Sequence, residues 1–280
     1  MVAVASVREL YAYHQKNNRD TAAGWSLFST HRQHLGALIE AAGGQEVALL
    51  GAGNCNDVDL ERLAETCDRL ALFDLDEGAV RRARDRQAPA VARKLELFAP
   101  VDLSGVFDRL PGLVNRRLGL AELEAFGQRA LEQASAALPP RRFDTVVSCC
   151  VLSQIMHSLY LGLGRHPQLE DLVEPVALAH VRLLLRLVRP GGHALLVTDV
   201  VSTETYPLEE LWAERTPAAL LSEVDRTGNT LNGTGPTFLR RMIARAGVDL
   251  AEPPRPSVPW LWPMGEDLTL LTYALCLKPR

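Results

Sequence analysis

The sequence predicts an α/β fold in which a mostly parallel sheet carries helices on both faces. Three observations predict it. Short apolar runs alternate with stretches of 3.6-residue periodicity. The first two such runs end on glycines and on an acid, as strands feeding tight turns do. No internal repeat or low-complexity linker divides the 280 residues, so one domain with additions is the simplest organisation.

The elements follow in order. In HRQHLGALIEAAGG, Leu35, Leu38, Ile39 and Ala42 share one helical face; Ser29 or Thr30 is placed to cap it and Gly43-Gly44 to end it. EVALLGAG reads as a buried strand, and DVDLERLAETC as a helix that Asn56 or Asp57 would cap. RLALFDLD is a second strand, EGAVRRARDRQ a helix with a charged outer face, and LELFAPVDL a weaker third strand. Residues 104–140 are helical in pattern. FDTVVSCCVL is a strand entering a turn or helix. LVEPVALAHVRLLLRLV is an amphipathic helix that Arg189-Pro190-Gly191-Gly192 stops, and HALLVTDVV is a fifth strand. Helical pieces at 208–212 and 218–224, a polar loop (RTGNTLNGTGP) and the helix TFLRRMIARAG come next. A poor strand near VDLAEP and a good one in DLTLLTYALCL close the chain.

Composition narrows the class. The chain is 47% hydrophobic and 23% charged, the balance of a folded globular protein. Thirty Lys and Arg against 34 Asp and Glu leave a net charge of −4, and the paired arginines are scattered, which argues against a nucleic-acid partner. No apolar run approaches the ~20 residues of a membrane helix. The stretch from Met1 to Leu10 lacks the pattern of a secretory signal, and five cysteines without a Cys-x-x-Cys pair fit reduced thiols, so a cytoplasmic location is expected.

Ligands of open parallel sheets bind beyond the C-terminal ends of the strands. Gly51-Ala52-Gly53-Asn54 comes after the first strand, where missing Cβ atoms allow a sharp turn and close approach. Asp74 lies 23 residues after Gly51, near the ~20-residue spacing of a ribose-binding acid. Asp76 is the other candidate, or a helix cap. A dinucleotide fingerprint wants a third glycine at the position of Asn56, and no triphosphate loop is present, so the turn suits an adenosine ligand without a pyrophosphate.

Here the chain resembles the class I S-adenosylmethionine-dependent methyltransferases. The resemblance runs from about Glu46 to Val200, through VALLGAGNCND, LALFDLDEGAVRRAR, VDL at 101–103, FDTVVSCCVLSQI at 143–155 and LVRPGGHALLVTD at 187–199. It implies a Rossmann-like, mostly parallel seven-stranded sheet over residues 46–280, with helical insertions near 104–142 and 201–236, and an N-terminal helical lid and acceptor region over residues 1–45. It also implies S-adenosylmethionine as cofactor and S-adenosylhomocysteine as product. Gly51, Ala52, Gly53 and Asn54 would then pass beneath the cofactor, Asp74 hold the ribose, and Leu75 lie beside the adenine. Asp102 would accept the adenine amino group and Leu103 give a backbone contact. Cys149, Cys150 and Val151 would line the cofactor, with Ser153 or Gln154 at its amino-acid end. Two positions depart from the family: Leu49 stands where an acid is common and Cys55 where a third glycine is usual.

The expected reaction is methylation of a small-molecule acceptor, on O or N rather than C or S. The alternatives are a non-catalytic adenosyl-binding or scaffold protein and, behind it, a nicotinamide-dependent oxidoreductase. Tyr11, Tyr13, His14, Trp25 and Phe28 make the N-terminal segment aromatic and are the acceptor-side candidates; a core-packing helix reads equally well. His31 and His157 are the candidate bases, though alignment against a pre-activated methyl needs no base in general. Cys149-Cys150 reads as packing rather than thiophilic chemistry, and the histidines complete no metal set. Trp260 and Trp262 either wall a pocket or pack the last hairpin.

Overall fold

The computed structural model describes residues 5–231, 233–265 and 267–280. Residues 1–4 of the opening stretch and Asn232 of the polar loop lie outside the described residues. Helix α1 (Val7–Asp20) is capped by Ser6 in a reciprocal box with Glu9, and α2 (Ser29–Ala42) comes after it. Then come β1 (Glu46–Leu50), α3 (Leu60–Thr66), β2 (Arg69–Phe73), α4 (Glu77–Asp85), α5 (Pro89–Ala92) and β3 (Leu95–Phe98). A 3₁₀ turn (Phe107–Gly112) leads to α6 (Leu120–Ala136), β4 (Phe143–Cys149), α7 (Val151–Leu163), α8 (Leu169–Leu187) and β5 (Val188–Ser202). The chain ends with α9 (Leu208–Glu214), α10 (Pro217–Thr227), α11 (Pro236–Ala246), β6 (Arg255–Pro256), β7 (Trp260–Pro263) and β8 (Thr269–Leu277).

The sheet runs β3-β2-β1-β4-β5-β8-β6, with β7 also on β8. The first five strands are parallel and β8 is antiparallel to β5. This is the expected Rossmann-like sheet with eight strands instead of seven. The difference has a local cause: β6 pairs Leu275–Cys276 and β7 pairs Thr269–Thr272, both along the edge of β8 away from β5. They form one edge lane, broken near Pro256 and Pro259, where proline supplies no ladder donor. The weak strand expected near Val248–Pro253 is a single bridge, Leu250 to Pro279.

Strands β1, β2 and β4 are near-continuous apolar runs because both faces are covered. One core holds Leu10 of α1 and the inner faces of α6, α7, α8 and α11. The other holds Leu35 and Ile39 of α2, the inner faces of α3 and α4, and both Trp260 and Trp262. Thus α2 is a packed sheet helix, and of the expected lid only α1 and the turn after it lie over the strand ends. No helix among the described residues is long and apolar enough to cross a membrane.

Two motifs of the sequence act at the far end of the sheet. Asp144, from FDTVV, accepts the backbone amides of Gln45 and Glu46, each at 2.9 Å, and pairs with Arg189 of the Arg-Pro-Gly-Gly turn at 2.7 Å. One carboxylate therefore fixes the starts of β1, β4 and β5. Asp144→Ala should cost about 1.5–3 kcal/mol, the range for hydrogen bonds to a charged group. Urea denaturation measures it, and a loss under about 0.5 kcal/mol would show that the cluster does not anchor the strands.

Candidate functional site

Strand order reverses between β1 and β4, so the turns after β1, β2, β4 and β5 open onto a shared crevice. A cleft of ≈ 450 Å³ lies there. Beside it is a second cleft of ≈ 530 Å³, and Tyr13, His14, Asn17, Ser153, Gln154, Asp199 and Leu268 line both.

The floor is set by Asp74 at the end of β2. Its Oδ2 accepts the Gly53 amide at 2.7 Å and its Oδ1 the Asp76 amide at 2.8 Å. Each oxygen keeps a lone pair, so the carboxylate can still accept hydroxyls from a ligand. Burial raises its pKa to about 6, against the opposing effect of those two amides. Asp76 is the cap of α4, accepting the Gly78 amide at 3.0 Å.

Gly51 and Gly53 serve different neighbours. A Cβ on Gly51 would stand 2.3 Å from Val151 Cγ2, so this glycine lets the β1 turn pack against α7. A Cβ on Gly53 would reach into the cleft, 3.0 Å from Asn18 Oδ1 and 4.0 Å from Asp74 Oδ2. Cys55 has a left-handed backbone with φ of 52°, a conformation that glycine adopts most readily. Asn54 is buried beneath α1, where its Nδ2 donates to the Asn18 carbonyl. Asn56 does not cap α3, since its amide holds the Thr21 carbonyl at 2.6 Å. Asp59 is the cap instead, accepting the Arg62 amide at 3.0 Å.

Asp57 is the residue that sequence reasoning misplaced. Rather than capping a helix, it lines the first cleft, and burial together with the charge of Asp74 pushes its carboxyl up to about 7. Asp199 ends the motif LVRPGGHALLVTD, yet sequence reasoning did not assign it to the site. It lies near the end of β5, lines both clefts, and accepts a hydrogen bond from Ser153 Oγ at 2.6 Å. Its position toward a strand's C-terminal end was the available signal. Asp102 lines the first cleft with Leu75, Val101, Leu103 and Phe107. Its oxygens also accept Ser104 Oγ and the amides of Ser104 (2.9 Å) and Phe107 (3.2 Å), so it builds its own loop.

The charges are one-sided. Asp20, Asp57, Asp74, Asp102 and Asp199 line the first cleft, and among the described residues no Lys or Arg lines either one. Desolvation lowers the His14 pKa to about 4 and also lowers that of His157, so neither adds positive charge at neutral pH. The thiols of Cys149 and Cys150, also in the lining, are pushed up by burial and stay protonated. No group of three His, Cys, Asp or Glu among the described residues is placed to hold a metal ion.

The N-terminal candidates divide. Tyr13 and His14 face the junction of the clefts; Ser158 donates to the Gln154 carbonyl, so His14 Nε2 donates to Ser158 at 2.8 Å. Phe28 and Trp262 meet edge to face at 5.1 Å on the first cleft's wall. Tyr11 instead packs on Phe107, and Trp25 lies outside under Arg32. His31 is a correction: it is 0% exposed, accepts from Trp260 Nε1 at 3.2 Å and stacks on Trp262 at 3.9 Å. Burial drives its pKa to about 3, and it reaches neither cleft. The 3.6-residue pattern put His31 on the inner face of α2 with Leu35, which was the signal that it packs. His157 lies at the rim of the second cleft, 5.2 Å from Tyr13.

No protein-family model matches the chain, and no curated protein matches it. Among solved structures it is similar to the S-adenosylmethionine-dependent methyltransferase SibL (18% identity, 85% of this chain and 51% of that one, TM-score 0.39). It is also similar to a Leishmania major SAM-dependent methyltransferase (11%, 96% and 83%, TM-score 0.49). A third is the N-methyltransferase NodS from Bradyrhizobium japonicum (15%, 90% and 96%, TM-score 0.40). The chain spans about half the length of SibL. Likeness at this level carries no argument about activity, which must come from the clefts.

A carboxyl whose folded pKa lies above its unfolded value costs stability that grows as pH rises between the two. For Asp57 that window runs from the ordinary 3.8 to about 7. Asp57→Asn should therefore stabilise the ligand-free protein by up to about 2 kcal/mol at pH 8 and leave it unchanged near pH 4. Melting curves at both pH values check this; equal effects at both would mean that Asp57 is not a strained carboxylate.

Proposed function

We propose that the protein is an S-adenosylmethionine-dependent methyltransferase acting on a small-molecule acceptor by O- or N-methylation. One observation carries the reading: the strand-end cleft is lined by carboxylates and by no lysine or arginine among the described residues. A pyrophosphate would meet Asp57 there, and the α3 N-terminus, the usual seat for phosphate, already holds Asp59. A ligand with adenosine at one end and, at the other, a sulfonium and an ammonium that outweigh its one carboxylate meets complementary charge. That disfavours the nicotinamide alternative.

The residues present fit such a cofactor, which when bound supplies a methyl group already activated on sulfur. Asp74 has free lone pairs that would accept the ribose hydroxyls, and Leu75 and Leu103, which line the same cleft, would wall the adenine. Asp57, which lines the first cleft, would supply the acid that Leu49 lacks. Helix α1 covers the cleft through Asn17 and Asn18, which limits water at the reacting centre. With His31 enclosed, alignment rather than a dedicated histidine base carries most of the acceleration. Five free cysteines, four of them buried, support a reducing cytoplasmic setting.

Calorimetric titration tests the cofactor. S-adenosylmethionine and S-adenosylhomocysteine should bind while NAD and NADP do not, and tight NAD binding would refute the assignment. Asp74→Asn should weaken S-adenosylhomocysteine by roughly 1.5–3 kcal/mol. It should also lower the melting temperature, because Asp74 holds the Gly53 and Asp76 amides. A variant that melts earlier and binds as well as wild type would make Asp74 structural only.

Methyl transfer to a panel of small acceptors should survive EDTA, since the proposed reaction needs no metal to orient its reactants. Complete loss with EDTA, restored by a divalent ion, would show a metal-dependent acceptor site.

A further inference from the structure

The second cleft bears on what the acceptor is. At its junction with the first stands Asp199, only 8% exposed. Among the described residues it has no ion-pair partner; the Ser153 hydroxyl donates to it at 2.6 Å and the Cys150 thiol also hydrogen-bonds to it, both neutral donors. A buried carboxylate with no cation beside it is costly, and that cost is relieved when a cation arrives. The lining of the second cleft adds the aromatic rings of Tyr13 and Tyr160, and no Lys or Arg among the described residues that would hold an anion.

We propose that Asp199 receives the basic nitrogen of the acceptor, which makes the acceptor a primary or secondary amine rather than a phenol or a carboxylic acid. This rests on the methyltransferase reading. The acceptor enters as an ammonium paired with Asp199 and gives the carboxylate one proton. The freed nitrogen lone pair then forms the N–C bond to the methyl as the C–S bond breaks and its electron pair stays on sulfur. The product leaves as a methylated ammonium, and Asp199 returns its proton to water, so one proton is released per transfer. A phenolate or carboxylate acceptor would face Asp199 with nothing to offset the repulsion.

The test uses the full chain saturated with S-adenosylhomocysteine, and phenethylamine, 2-phenylethanol and phenylacetate as probes that differ only in their polar end. Calorimetry should show the amine binding at least about tenfold more tightly than the alcohol, with the acid weakest. In Asp199→Asn, titrated at S-adenosylhomocysteine concentrations that still saturate the variant, that preference should shrink to within about threefold. Ser153→Ala, which keeps the carboxylate, should keep the preference and serves if Asp199→Asn does not fold. Equal binding of the three probes, binding of none, or an amine preference that survives in folded Asp199→Asn overturns the assignment. A wild-type chain that does not bind S-adenosylhomocysteine overturns the cofactor reading itself, and this inference with it.

Discussion

The Asp74 carboxylate, set between the first two strand ends, is the contact on which the site depends. By accepting the Gly53 and Asp76 amides it ties the β1 turn to the start of α4. Both turns would otherwise present buried N–H groups without partners, at about 1–3 kcal/mol each. Around that clamp the other pieces fall into place. Asn54 and Asn56 anchor the end of α1 and the turn after it, and Asn18 reaches back to Asp76 at 3.3 Å. The helix over the cleft is thus attached to the same loops that form its floor.

The structure accepts an electrostatic cost to keep this arrangement. Asp57, Asp74, Asp102 and Asp199 all have pKa values raised, chiefly by burial. Hydrogen bonds from backbone amides and from Ser104 and Ser153 reduce the cost without supplying a counter-charge. Salt bridges are plentiful elsewhere, as at Arg189 with Asp144 and Arg241 with Glu174, so the chain does not lack cations. Their absence from the lining among the described residues leaves a field suited to a positively charged ligand.

Much of the fold was legible because strand and helix periods differ and the breakers sit between them. The five parallel strands were read directly from apolar runs, and Asp144 explains physically why Phe-Asp and Arg-Pro-Gly-Gly occur together. The broken edge lane was not legible, since two short proline-flanked pieces carry no period. Within the site, glycine and acid at strand ends marked Gly53 and Asp74. Cap positions were misread at α3, because Asn56, Asp57 and Asp59 have equal capping propensity and only tertiary contacts decide among them. His31 was misread for a related reason: aromatic density in a segment does not say which face meets the cleft and which meets Trp260.

The claim that the cleft selects charge is tested most directly with ligands that share adenosine and differ only in the group carried at its 5′ carbon. Isothermal titration of 5′-methylthioadenosine, S-adenosylhomocysteine and ADP at low ionic strength makes that comparison. A cleft whose charged lining residues, among those described, are all carboxylates should bind S-adenosylhomocysteine best and ADP at least about tenfold more weakly than the neutral thioether. ADP binding as tightly as 5′-methylthioadenosine would contradict it.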